Sequence, residues 1–390
     1  MSAPSTPWLA EADVDLDDLI AIVAEVTDLA DYPHAASVEQ NALVYDSDRL
    51  RAECGSASGR REVQAELARA LMAGPGLVVF SGAFPDPAVV DRATDAFNAM
   101  IADQHASGAA SGDHFARPGA NDRVWNALEK LAIREPAVFV GYYANDILAL
   151  VAQAWLGPNY QVTSQINVVN PGGQAQTVHR DYHLGFQTND QAERYPAHVH
   201  QLSPVLTLQG AVAHTDMPVV SGPTQYLPHS QKYPLGYLAW RRPEVRAHFE
   251  ANFVQLPLAK GDAAFFNPAL FHAAGTNHST DIRRMANLLQ VSSAFGRAME
   301  SVDREHVSTA VFPALLAAKA AGAGDAALAN AVAAAAEGYS FPTNLDRDQP
   351  VGVLAPETQA ELLSRAVREG WEPDALAKEL AAYAERRRTR

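Results

Sequence analysis

The chain of 390 residues holds one cysteine, Cys54, so it has no internal disulfide framework. That thiol is expected to pack as a small apolar group. Basic residues are scarce: 30 Lys and Arg stand against 45 Asp and Glu, a formal net charge of −15. This balance argues against a broad nucleic-acid or anionic-membrane surface, although a local basic pocket remains compatible with it. Long hydrophobic runs are missing too. No stretch reaches the ~18 uninterrupted apolar residues of a membrane span. Residues 311–336 come nearest, and Lys319, Asp325 and Asn330 interrupt them. The acidic N-terminus lacks the basic start and apolar run of a signal peptide. These absences set the expectation of a soluble, cytoplasmic protein that binds a small molecule, with neither nucleic acid nor membrane as partner.

Apolar residues make up 48% of the chain, enough for a substantial core. Helical spacing marks 14–29 and 61–72, the latter ending at Gly74-Pro75-Gly76. A short apolar strand, 76–81, and a helix over 85–100 follow. One long helix is expected over 136–156, ending at Gly157-Pro158. The pattern then changes to short strands punctuated by Gly and Pro: 160–169, 176–182, 205–213, 224–227, 253–257, 263–266 and 285–293. That is the signature of a sandwich or barrel, here with helices covering it. Helical pattern returns after Val302, with an Ala-rich stretch over 311–336 and two further helices, 356–368 and 373–386.

The chemistry concentrates in a few residues. His-x-Asp occurs twice, as His179-Arg180-Asp181 and His214-Thr215-Asp216. Residues two apart on a strand share a face, so either copy could offer an imidazole and a carboxylate together. The first follows a turn and sits in an extended run. The second ends an apolar strand and runs into Met217-Pro218, which favours a hydrogen-bonded pair at a strand end. His272 closes an apolar segment that starts at Gly261-Asp262, and Arg283 opens the next strand. Two imidazoles and one carboxylate can hold one face of an octahedral iron(II), leaving three positions open. An arginine fork suits a dicarboxylate. Arg283 is therefore expected beside His179, Asp181 and His272, with Arg284 on the opposite, solvated face. The set points to an oxygenase consuming 2-oxoglutarate and O2. A kinase reading of His-Arg-Asp fails, because position 186 is Phe where the catalytic loop needs Asn.

From about Gly76 to Ser293 the chain resembles the phytanoyl-CoA dioxygenase family of iron(II)/2-oxoglutarate oxygenases. The resemblance is carried by Gly76-Leu77-Val78-Val79-Phe80, by His179 to His183, and by Ser221-Gly222-Pro223 running to His229-Ser230. It continues through Gly261-Asp262, His272, Gly275, Asn277 and Arg283, with the family's gap of eleven from His to Arg. It implies an α+β fold with a double-stranded β-helix (jelly roll) core braced by helices, over 76–300. Helical extensions over 1–75 and 301–390 would flank it and serve packing or contact between copies. It implies iron held by His179, Asp181 and His272 and the distal carboxylate of 2-oxoglutarate held by Arg283. Gln165, Asn167 and Arg123 become possible co-substrate contacts. Asp181 favours hydroxylation over halogenation, since related halogenases carry a small residue there; desaturation, cyclisation and a non-catalytic jelly-roll binder are the alternatives.

The chain departs from the family at His229 and Gln231, where Gly and His are usual, so that loop is expected to differ in shape. Candidates for lining the substrate pocket are Arg180, His183, Gln209, the pair His198 and His200 on one strand face, and 113–123 with Arg117.

Overall fold

The computed structural model describes residues 7–108 and 120–389. Among them, eleven strands form two sheets. They are β1 (Ser37–Glu39), β2 (Ala42–Asp46), β3 (Leu77–Ser81), β4 (Asn121–Val124), β5 (Gln161–Val169), β6 (Thr207–Ala213), β7 (Gln225–Leu227), β8 (Val254–Gln255), β9 (Ala263–Phe266), β10 (Phe271–Ala273) and β11 (Arg284–Ser292). The large sheet runs β1-β2-β3-β9-β6-β11-β5-β4 and the small one β10-β7-β8. Only β2 and β3 pair in parallel.

Strand alternation sorts the large sheet into two faces. On β11, Met285, Leu289 and Val291 enter a core shared with helices, while Ala286 enters the layer between the sheets. That inner layer joins Val79, Ala211, Ala264 and Phe266 of the large sheet to Tyr226 of the small one. The result is a jelly roll closed by helices on its outer face. Phe97, Phe139 and Phe265 share the outer core with Leu67 from before Gly76 and with Val311, Phe312, Leu362 and Leu380 from after Val302. The flanking helices are thus built into the core that stabilises the sheet.

Several expected elements are resolved differently. The helix over 136–156 is two, Pro136–Tyr143 and Asp146–Leu156, bent by 62°. Asn145 makes the break by capping the second through Ile147 N and Leu148 N, both at 3.0 Å. The Ala-rich stretch also divides, into Arg304–Ala320 and Asp325–Ala335, with Gly322 at φ +91° between them. The helical pattern over 14–29 yields only Leu16–Val23, and β1 and β2 follow it unannounced by sequence pattern. Residues 176–182 form no strand ladder; one bridge, His179 to His272, ties the segment to β10. Among the described residues, no single helix is long and apolar enough to cross a membrane.

Candidate active site

That single bridge assembles the site. His179 N donates to His272 O at 3.0 Å and His272 N returns to His179 O at 3.2 Å. Cross-strand partners project side chains to one side, and the two rings lie 4.5 Å apart between centroids. Asp181, two residues on, shares the phase of His179, and its backbone N–H is fixed to Pro268 O at 3.2 Å. Its Oδ1 is 3.6 Å from His179 Nε2, and its Oδ2 is 3.4 Å from His272 Nε2. The three donor atoms all lie within 4.8 Å of one another.

The second ring nitrogens explain why this cluster fits a metal. His179 Nδ1 lies 2.8 Å from Thr177 O and His272 Nδ1 lies 2.9 Å from Leu270 O. A carbonyl only accepts, so Nδ1 carries the proton in both rings and the Nε2 lone pair stays available. Burial alone would raise the Asp181 carboxyl, but His179, His272 and Gln209 outweigh it and hold the group well below the usual carboxylate range. The carboxylate is ionised and both imidazoles keep their Nε2 lone pairs, a donor set suited to a divalent ion.

The loop that follows is anchored. Tyr182 and His183 both adopt positive φ, +63° and +42°, a costly conformation for bulky residues. Arg180 counters it from the other face: its Nη2 donates to Ser230 O at 2.5 Å and Tyr233 O at 3.1 Å. Its guanidinium lies between the Tyr237 and Phe271 rings at 5.2 and 4.9 Å. Gly236 makes that seat possible, because a Cβ there would fall 1.8 Å from Arg180 Cζ. Burial pushes the Arg180 pKa down to about 10.

The cluster opens on a cavity of about 530 Å³. One side is apolar, with Met217, Tyr226, Leu258 and Phe266; towards the rim stand Trp125 and the exposed Phe186. Arg284, Ala286, Leu288 and Gln290 line it from alternate positions of β11, and Gln165 and Asn167 from β5. The placement of the two arginines corrects the expectation from sequence. Arg283 does not line the cavity. It donates from Nη1 to Asn98 Oδ1 at 2.8 Å and approaches Asp122 at 3.8 Å, with its side chain 40% exposed. Arg284 is 6% exposed and faces the cavity. Met285 and Leu289 commit one phase of β11 to the helix-covered core, which turns Arg284 inward with Ala286 and places Arg283 on the helix side. Burial, and secondarily the nearby Arg123 cation, bring the Arg284 pKa down to about 10. Arg123, 5% exposed, lines the same cavity, donates to Gln165 Oε1 at 3.3 Å and lies 5.0 Å from the Trp125 ring.

His183, His198, His200, His214 and His229 do not line the cavity. His214, 1% exposed, contacts Thr94 Oγ1 at 2.8 Å through Nδ1 and the Tyr142 hydroxyl at 3.0 Å through Nε2; burial pushes its pKa down to about 3. Asp216 instead accepts from Lys260 N at 2.9 Å, so the two do not pair with each other. His198 and His200 lie on a helix, Ala197–Val205, which separates them: His198 is exposed and His200 is buried against Ala192 O at 3.0 Å. His183 Nδ1 meets Ser203 Oγ at 3.1 Å. His229 takes φ +69°, the left-handed geometry suited to the glycine it replaces, and its Nε2 lies 3.1 Å from Thr27 Oγ1. Of the 113–123 segment, Arg117 and its neighbours up to Gly119 lie outside the described residues.

A jelly roll carrying two imidazoles and a carboxylate at its mouth, with a buried arginine in the same cavity, is the architecture of a non-haem iron(II) enzyme that uses 2-oxoglutarate. Residues 72–285 match the phytanoyl-CoA dioxygenase (PhyH) family model, and the chain belongs to that family. No curated protein matches it. Among solved structures it is similar to the non-haem α-ketoglutarate-dependent epimerase SnoN from nogalamycin biosynthesis, at 19% identity over 61% of this chain and 82% of that one, TM-score 0.41. It is also similar to the α-ketoglutarate-dependent carbocyclase SnoK of the same biosynthesis (21% identity, 62% and 88% coverage, TM-score 0.42). A third is AviO1 from Streptomyces viridochromogenes Tue57 (18% identity, 60% and 96% coverage, TM-score 0.43).

Proposed function

We propose that the chain hydroxylates an unactivated carbon of a small molecule, with iron(II) held by His179, Asp181 and His272 and with 2-oxoglutarate and O2 as co-substrates. When bound, iron supplies oxygen activation coupled to the decarboxylation of 2-oxoglutarate to succinate and carbon dioxide. The observation that carries this reading is Arg284. It is buried and lines the same cavity as the triad, and among the described residues no side-chain hydrogen bond or ion pair holds its guanidinium. A desolvated, unpaired charge costs several kcal/mol, and an anionic ligand offsets that cost. A bidentate guanidinium–carboxylate pair gives the fit and fixes the co-substrate's far end.

Arg123 adds a second positive centre that favours a dianion, while Gln165 and Asn167 offer amides along the same wall; Asn167 Oδ1 is buried with no partner. Trp125 and Phe186 would grip the substrate at the rim and exclude water from the ion. The test is a substrate screen by succinate release, with mass spectrometry of the products. Gain of one oxygen supports hydroxylation; loss of two hydrogens, or an isomer of unchanged mass, assigns another oxidative outcome to the same site.

A further inference from the structure

Gln209 sits on β6, a central strand of the large sheet, opposite Phe266 of β9 and Gln290 of β11. It is 4% exposed and lines the cavity. Its Nε2 donates to Asp181 Oδ2 at 2.5 Å, a short, charge-assisted contact. The orientation of the amide is fixed by that distance: turned over, it would set two acceptors against each other. Pairing on both sides fixes the strand that carries Gln209, and its Oε1 is buried without a partner.

We infer that Gln209 is a positioning residue for the metal-binding carboxylate: its amide occupies Oδ2 of Asp181 and leaves Oδ1 to the ion, so that the carboxylate binds through one oxygen. The inference rests on the iron-binding reading of the triad. A carboxylate free to rotate can chelate through both oxygens and take a position needed by a co-substrate. The Gln209 N–H holds Oδ2 in one orientation and so opposes that rotation. Gln290 stands beside it on the same face and is itself held by the Tyr182 hydroxyl. The residue after Asp181 is therefore tied to the neighbouring strand as well.

The test compares the wild-type chain with Gln209→Met, which keeps length and volume but lacks the donor. Iron(II) affinity is measured anaerobically by competition with a chromophoric chelator. The visible spectrum of the cobalt(II)-loaded protein reports the coordination sphere, and thermal unfolding of the metal-free protein reports the fold. We expect iron(II) affinity to fall roughly tenfold to a hundredfold and the cobalt bands to change position or intensity, with metal-free unfolding within a few degrees of wild type. Gln209→Asn withdraws the amide by one methylene and gives the same losses should Gln209→Met fail to fold. Wild-type affinity with an unchanged cobalt spectrum in either folded variant overturns the inference and leaves the iron-binding reading intact. Failure of the wild-type chain to bind either ion overturns both.

Discussion

Arg283 and Arg284 are adjacent in the chain and lie on opposite sides of β11: Arg284 faces the cavity of His179, Asp181 and His272, and Arg283 reaches Asn98 on the helix-covered side. One residue of phase decides which guanidinium can meet a ligand. We therefore predict opposite outcomes for the two. Arg284→Leu should raise the 2-oxoglutarate concentration for half-maximal turnover on the order of a hundredfold, since losing one partner of a buried charge pair costs about 3 kcal/mol. Arg283→Ala should stay within a few-fold of wild type, because it removes a half-exposed contact. Steady-state kinetics with 2-oxoglutarate as the varied substrate checks both.

Replacing a triad member should remove metal binding rather than unfold the chain. His179→Ala or Asp181→Ala should abolish substrate-dependent succinate formation. A ligand that binds only the folded state at a hundred times its Kd stabilises it by about 2.7 kcal/mol. Manganese(II) should accordingly raise the melting temperature of wild type but not of Asp181→Ala, and chelation should reverse the rise.

His214 predicts a pH effect on stability away from the metal site. Burial lowers its pKa to about 3 from the usual histidine value of 6.5. The folded state thus binds fewer protons than the unfolded one between those values. Its contribution is fully present above pH 6.5 and declines as pH falls towards 3. His214→Gln, which keeps a polar group near Thr94 and Tyr142, should flatten that part of the profile measured by urea unfolding.

Arg180 should matter for folding although it is not a ligand. Its guanidinium ties the ligand segment to the carbonyls of Ser230 and Tyr233. Arg180→Ala would take one of two donors from each carbonyl, since Tyr233 N and Gly236 N also reach them, and would uncover the two rings, at a cost of about 2 kcal/mol. Thermal unfolding of the metal-free protein should show a clear drop.

How much of this was legible in sequence differs by residue. The triad was, because His179 and Asp181 need only a two-residue phase and His272 lies in a distinctive apolar segment. The choice between the two His-x-Asp copies was legible from context, as Met217-Pro218 ends the second strand. The facing of Arg283 and Arg284 was not. A fixed spacing from His272 selects Arg283, whereas packing of Met285 and Leu289 selects the phase, and both faces of β11 carry enough apolar residues to hide that choice. Strands β1 and β2 escaped notice because three- and five-residue segments carry little periodicity. Gln209 could be placed among pocket candidates, but its bond to Asp181 joins residues 28 positions apart and has no local signature. His198 and His200 show the same limit: a two-residue spacing fits a strand, and Pro196 with the helix it starts overrides it.

The most direct test of the account is anaerobic absorption spectroscopy of the chain with iron(II) and 2-oxoglutarate. We predict a weak visible charge-transfer band that requires both additions, is lost in Asp181→Ala and, at sub-millimolar 2-oxoglutarate, is weakened in Arg284→Leu but not in Arg283→Ala. A colourless wild-type mixture, together with no oxygen uptake in air, would contradict it.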